Sequence, residues 1–244
     1  AISAVVHCLL GSALAAVWRR SDHAEVLNSS HPSDSSRCSG PVMAASGLDP
    51  SKIFPFPLDD FQLEAIDALN QGHSVVVSAP TGSGKTLVGE YAIHRALAHG
   101  QKVFYTTPLK ALSNQKLRDF REAYGDDNVG LMTGDRSVNR EASIVVMTTE
   151  IFRNMLYAEA SEQDDPLADV EAVVLDECHY MNDSQRGTVW EESIIHCPPS
   201  VQLVARSATV ANAGQLTDWI QKVHGPTTLV LSDYRPVPLQ FSFC

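Results

Sequence analysis

No two of the five cysteines (Cys8, Cys38, Cys178, Cys197, Cys244) stand close enough to form a CxxC pair. Neither a zinc ribbon nor a disulfide framework can be built from an odd, scattered set, and a reducing compartment suits it best. The nine histidines show no metal-ligand spacing and default to structural or surface roles. Cations are scarce too: 18 Lys plus Arg stand against 29 Asp plus Glu, a net charge of −11. That excess of acid excludes an electrostatic grip on nucleic acid or anionic membrane by the whole surface, though not by a local track. There is no internal repeat, and at 44% hydrophobic and 19% charged residues the 244-residue chain reads as a globular protein able to bury a core.

The charge is unevenly placed. Residues 1–47 hold three basic side chains (Arg19, Arg20, Arg37) and three acidic ones (Asp22, Glu25, Asp34), so the whole deficit falls on 48–244. Ser and Ala dominate this first stretch, which cannot bury enough apolar surface to offset the entropy of ordering it. It is expected to be a disordered or transit-peptide-like leader, and a plastid location follows from that reading. The uncharged run 1–18 is interrupted by Ser3, His7, Gly11 and Ser12, which argues against a membrane span. No stable membrane association is expected. The sequence begins at Ala1 rather than Met and is expected to be a piece of a longer chain.

From residue 48 onward, short apolar runs alternate with helical patterns. Strands are predicted at 74–78, 102–106, 144–148, 172–176, 202–207 and 228–231, and helices at 86–98, 109–123, 150–158, 187–195 and 213–223. Near-continuous apolar strands separated by helices predict a doubly wound α/β fold, a parallel sheet covered on both faces. The acidic stretch 161–165 is read as a solvated loop.

The most specific motif is Ala79-Pro80-Thr81-Gly82-Ser83-Gly84-Lys85-Thr86, which follows a strand and opens a helix. That context marks a phosphate-binding loop. Gly82 and Gly84 let backbone amides turn inward around phosphate oxygens, and the helix directs its positive end at the same anion. Lys85 is expected at the β- and γ-phosphates of ATP and Thr86 at Mg2+. Ala79 departs from the strict motif, which begins with Gly.

Asp176-Glu177-Cys178-His179 ends the apolar run 172–175. Ligands of open α/β sheets bind beyond the carboxyl ends of strands, so Asp176 can hold Mg2+ opposite Thr86, and Glu177 can orient and deprotonate a water. A thiol-protease reading of Cys178 with His179 fails because neighbours on an extended segment point apart.

With these motifs in place, the ordered set APTGSGKT, TTPLKALSNQK, TGD, MTTEIFRNML, DECH and SAT resembles the first RecA-like domain of superfamily 2 helicases. The DExH form, with the runs 109–116 and 189–192, is similar to the Ski-type RNA helicases. The runs 125–130, 224–225 and 235–239 resemble the chloroplast and cyanobacterial group called increased size exclusion limit. The likeness covers roughly 54–243 and implies a RecA-like P-loop fold that hydrolyses ATP with Mg2+ to unwind or translocate on RNA. It implies that Gln62, beside Phe61, reads the adenine. It implies that Asp176 and Thr86 hold Mg2+, that Glu177 activates water, and that Ser207 and Thr209 couple hydrolysis to movement between domains. Thr107, Pro108, Lys110, Thr133, Gly134, Thr148, Thr149 and Arg153 would line the nucleic-acid track, gripping backbone with little sequence preference.

One residue departs from the resemblance. Arg206 precedes Ser207-Ala208-Thr209 where the family usually carries an apolar residue, on a strand read as buried and central. A buried Arg is costly unless paired, and pairing with Asp176 or Glu177 would disturb the Mg2+ site. On burial alone, Arg206→Leu is expected to raise stability. The sequence shows no motif of the second RecA-like domain that supplies arginine fingers, so the chain alone is expected to bind ATP weakly and hydrolyse it very slowly. A nucleotide-dependent nucleic-acid-binding module without unwinding, and a DNA helicase, are the alternative readings.

Overall fold

The computed structural model describes residues 47–159, 166–182, 187–209 and 212–235. The leader reading, the loop 161–165 and the run 236–239 lie outside the described residues.

A short helix α1 (Pro50–Ile53) and α2 (Asp60–Asn70) precede β1 (Ser74–Ser78). Then follow α3 (Thr86–His99), β2 (Lys102–Thr107), α4 (Lys110–Tyr124), β3 (Val129–Met132), β4 (Ser137–Val138), β5 (Ile144–Thr148) and α5 (Thr149–Glu159). The chain continues with β6 (Val170–Leu175), α6 (Gly187–His196), β7 (Gln202–Ser207), α7 (Ala213–Val223) and β8 (Thr227–Leu231). The eight strands form one sheet in the order β4-β3-β5-β2-β6-β7-β1-β8.

All pairings are parallel except β3 with β4, which run antiparallel. The sheet is parallel as expected, apart from this short edge pairing. Thr133 and Arg136 exchange backbone hydrogen bonds at 2.8 and 3.3 Å, closing a tight turn too short for a crossover.

Strand alternation divides the core in two. Val75, Val77, Tyr105, Val146, Val174 and Val204 pack with Ile66 and Leu69 of α2, Tyr91 of α3 and Phe120 of α4. Their neighbours Val76, Phe104, Val145, Val173 and Leu203 face the other way, against Phe152 of α5, Trp190 of α6 and Ile220 of α7. Strands buried on both faces need no polar alternation, which is why their sequences run apolar without a break. The RecA-like, doubly wound expectation therefore holds.

The six predicted strands and five helices are present within two residues of their expected ends. Sequence reading missed α1, α2, β3 and β4. Helix α2 carried a legible signal, since Phe61, Ala65, Ile66 and Leu69 are its buried stripe and Asp59 with Gln62 forms a capping box. Strand β3 has only four residues, one of them glycine, and no local pattern marks it.

Candidate nucleotide-binding site

Every predicted site residue lies at or beyond the carboxyl edge of the sheet, apart from Gln62 on α2, and the strand order sorts them. Loops after β1, β7 and β6, three adjacent strands, carry residues 79–86, Ser207 with Thr209, and Asp176 with Glu177. Loops after β2, β5 and β3, the next three, carry Thr107 to Lys110, Thr148 to Arg153, and Thr133 with Gly134.

In the phosphate loop, Gly82 has φ +86° and Gly84 φ +82°, a region open to glycine. A Cβ on Gly84 would also stand 2.7 Å from Gln62 Nε2. Lys85 is buried, and its ammonium donates to the carbonyls of Ala79 at 3.2 Å and Pro80 at 3.3 Å. Burial lowers its pKa from the ordinary lysine value, partly opposed by the negative charge of Glu177. Ala79 is buried, and its amide donates to the Ser207 carbonyl at 3.3 Å, which anchors the loop to β7. Ser78 Oγ donates to the Ala208 carbonyl at 3.4 Å. Pro80 is half-buried, Thr81 is exposed, and Ser83 Oγ is buried without a hydrogen-bond partner among the described residues.

Gln62 is placed against this loop. Its amide nitrogen donates to the Gly84 carbonyl at 3.1 Å, while its amide oxygen accepts from the Asp59 amide at 2.9 Å. Both ends of the side chain are engaged in holding α2 to the loop.

Asp176 is buried at the end of β6, and its amide donates to the Thr106 carbonyl at 3.0 Å, extending the ladder. Tyr105 Oη donates to its Oδ2 at 2.8 Å. Burial raises the Tyr105 phenol well above the ordinary range, so it stays a hydroxyl. Sequence reading missed Tyr105; the signal was its position two residues before the end of β2, on the α3 face. Glu177 has φ +56°, a left-handed conformation unusual for a glutamate, and its side chain is partly exposed. Strained backbone of this kind gathers at functional sites. His179 Nδ1 lies 3.2 Å from Glu177 Oε2. Cys178 sits in a 3-10 turn (Cys178–Asn182) rather than an extended segment. It is buried and free, and burial pushes its thiol up to about 12, which excludes a thiolate nucleophile.

Arg206 enters the centre of this cluster. Its guanidinium donates through Nη2 to Thr86 Oγ1 at 2.8 Å and through Nη1 to Tyr105 Oη, and Nη1 lies 3.5 Å from Asp176 Oδ1. The two residues expected to hold Mg2+ are therefore bridged by a fixed positive charge. As arranged, Thr86 and Asp176 do not fit a divalent ion. Arg206 is also paired rather than lone, which reverses the stability expected for Arg206→Leu: removal strands a buried carboxylate.

Of the hydroxyls predicted for the nucleic-acid track, those of Thr107 and Thr149 turn inward, while that of Thr133 meets the exposed Asp135. Thr107 Oγ1 meets Ser113 Oγ at 2.7 Å, Thr149 Oγ1 donates to the Thr107 carbonyl at 3.3 Å, and Thr133 Oγ1 donates to Asp135 Oδ1 at 2.9 Å. Pro108 and Thr148 are buried as well. Exposed on this edge are Gly134 and Lys110, the latter 3.0 Å from Asp135. Arg153 is half-buried and held by Asn154 and by Glu192 at 3.5 Å. Thr209 is exposed.

Residues 59–216 match the family described as DEAD/DEAH box helicase. The chain belongs to that family. Among its relatives, the DExH-box ATP-dependent RNA helicase DExH15, chloroplastic, of Arabidopsis thaliana is 58% identical over 193 residues, which are 78% of this chain and 16% of that protein. The antiviral helicase SKI2 of Saccharomyces cerevisiae is 49% identical over 195 residues, 80% of this chain and 15% of that one. The probable helicase HelY of Mycobacterium tuberculosis is 57% identical, over 76% of this chain and 20% of its own length. The chain thus spans no more than about a fifth of these relatives. The Mycobacterium smegmatis helicase Lhr, solved with single-stranded DNA and AMP-PNP, superposes with a TM-score of 0.59 at 27% identity, over 75% of this chain and 26% of that one. This DExH-box helicase domain thus shares its fold with a solved helicase. No helix among the described residues is long and apolar enough to cross a membrane.

Proposed function

We propose that this chain is the ATP-binding domain of an ATP-dependent RNA helicase, in which residues 79–86 hold the nucleotide phosphates. The carrying observation is the convergence of Lys85, Thr86, Asp176, Glu177 and Ser207 at the carboxyl ends of three adjacent strands. Lys85 neutralises phosphate charge, the amides of the loop cradle the oxygens, and Gln62, which holds α2 to the loop at Gly84, is the residue assigned to the adenine. Glu177 takes the proton as water attacks the γ-phosphorus and the bond to the β–γ bridging oxygen breaks, giving ADP and phosphate. Ser207, beside Ala79, and Thr209 relay the change to a second RecA-like domain. Thr107, Pro108, Lys110, Thr133, Gly134, Thr148, Thr149 and Arg153 form an edge for the sugar-phosphate backbone of RNA. The inward hydroxyls of Thr107 and Thr149 pin the loops, and backbone amides with Lys110 and Arg153 meet the strand.

RNA is favoured over DNA by the Arabidopsis relative, which is named as an RNA helicase. A plastid location is supported by the chloroplastic Arabidopsis relative and by the composition of residues 1–47.

Titration of the purified chain with ATP tests the reading. Binding that Lys85→Ala weakens at least about tenfold supports it, and no binding by the wild type defeats it. In the longer protein, Glu177→Gln is expected to retain ATP and stop unwinding. Single-stranded RNA is expected to stimulate the ATPase more than single-stranded DNA does.

A further inference from the structure

We propose that Arg206 is a tethered cation that takes the place of the nucleotide's divalent metal ion, so that this chain binds a nucleoside triphosphate without one. The proposal rests on the reading that residues 79–86 hold the phosphates. Strand β7 lies between β6 and β1, and Arg206 pairs with Val77 while Ala205 pairs with Leu175. The register sets Arg206 level with Val77, two residues before the phosphate loop, on one side and with Asp176 on the other. Its side chain leaves β7 on the face covered by α3 and runs past Gly89, where a Cβ would stand 3.7 Å from Arg206 Cδ. The guanidinium thereby reaches Thr86 Oγ1 and Asp176 Oδ1, the two oxygens expected to hold a divalent ion, and Tyr105 Oη beside them.

Two features separate this from an ordinary ion pair inside a core. The guanidinium is buried at the start of α3, where the helix and the phosphate loop direct positive potential at an anion. It also has spare donors: Arg206 Nε is buried with no hydrogen-bond partner among the described residues, and Ser83 Oγ in the loop is the same. An arginine cannot lose its charge in a protein, and its fork matches phosphate oxygens. A second cation at Thr86 and Asp176 would stand against that fixed charge where water screens it little.

The test is the ATP affinity of the whole chain, measured calorimetrically in magnesium chloride and in EDTA, for wild type and Arg206→Leu. The coupling between metal and nucleotide is expected to be less than about threefold in the wild type and about tenfold or more in Arg206→Leu. Wild-type binding that needs Mg2+ overturns the proposal and leaves the nucleotide reading standing. Binding in neither buffer removes the nucleotide reading and the proposal with it. Should Arg206→Leu not fold, the wild type decides alone: Mn2+ added with ATP is expected to give no protein-bound electron paramagnetic resonance spectrum, and such a spectrum overturns the proposal.

Discussion

Tyr105 holds two partners through one hydroxyl, donating to Asp176 and accepting from Arg206. Phenylalanine at this position keeps the ring and its edge contact with Phe120, and removes only that atom. Tyr105→Phe is expected to cost about 1–3 kcal/mol by leaving buried polar groups unpaired, read as a lower urea midpoint with an unchanged slope. Arg206→Leu is expected to cost more, about 3 kcal/mol in the absence of ligand, because Asp176 stays buried without its charge partner. A melting temperature equal to or above the wild type would show that the guanidinium contributes no net stability. These two side chains illustrate what a sequence conceals. The burial of Arg206 was legible from its strand, and pairing with Asp176 or Glu177 was one of the outcomes open to it. That the side chain joins Asp176, Tyr105 and Thr86 into one cluster depends on strand order, because the four residues are spread over 120 positions of chain.

Helix α3 carries the largest polar commitment away from the site. Arg95 is buried and donates through Nε to Glu171 at 2.5 Å, through Nη1 to the Leu69 carbonyl at 2.6 Å, and to Gln202 through Nη2. His99 Nδ1 meets the other Glu171 oxygen at 2.9 Å. One side chain thus ties α3 to α2, β6 and β7. Arg95→Ala is expected to cost about 3–5 kcal/mol by stranding Glu171 in a nearly closed environment, measured by chemical denaturation. Gly89 offers the opposite case on the same helix. A methyl there would stand 3.4 Å from Val174, 3.6 Å from Tyr105 and 3.7 Å from Arg206, all ordinary contacts. Gly89→Ala is therefore expected to stabilise by about 0.5–1 kcal/mol through helix propensity, and a lower melting temperature would show that α3 cannot give way. At this scale, the apolar periodicity of β1, β5, β7 and α7 located them to the residue. Strands β3 and β4 were invisible because two- and four-residue pairings are set by the neighbours they join.

Across the molecule, the sheet divides into two working halves that share one edge. The loops after β3, β5 and β2 hold the residues proposed for the RNA track, and the protein carries a charge of −11. With about two phosphate contacts, from Lys110 and Arg153, RNA affinity is expected to fall less than about tenfold between low and moderate salt. A much steeper dependence would place the RNA on another surface. The core also responds to pH. His94 meets Phe54 edge-on and Tyr124 at a tilt, and burial lowers its pKa below the ordinary value; His224 is lowered by burial as well. Each imidazole takes up a proton less readily in the folded chain than in the unfolded one, so the unfolded chain is protonated first as pH falls. Stability is expected to decline as pH falls through about 6.5, and less so in His94→Phe. Denaturation curves at neutral and mildly acidic pH check this.

The sequence alone determined the alternation of buried strands and helices, the phosphate loop, the acidic strand end and the family these motifs resemble. All but the last are local, depending on apolar periodicity or on a short run of residues; the resemblance rests on the order of such motifs along the chain. Tertiary structure decided which loops are neighbours, that Tyr105 belongs to the site, and that the expected metal position is filled by Arg206. Those outcomes follow from the order β6-β7-β1, which places one residue of the middle strand between the chemistry of the other two. No spacing along the chain encodes that adjacency, since it arises when the strands pair.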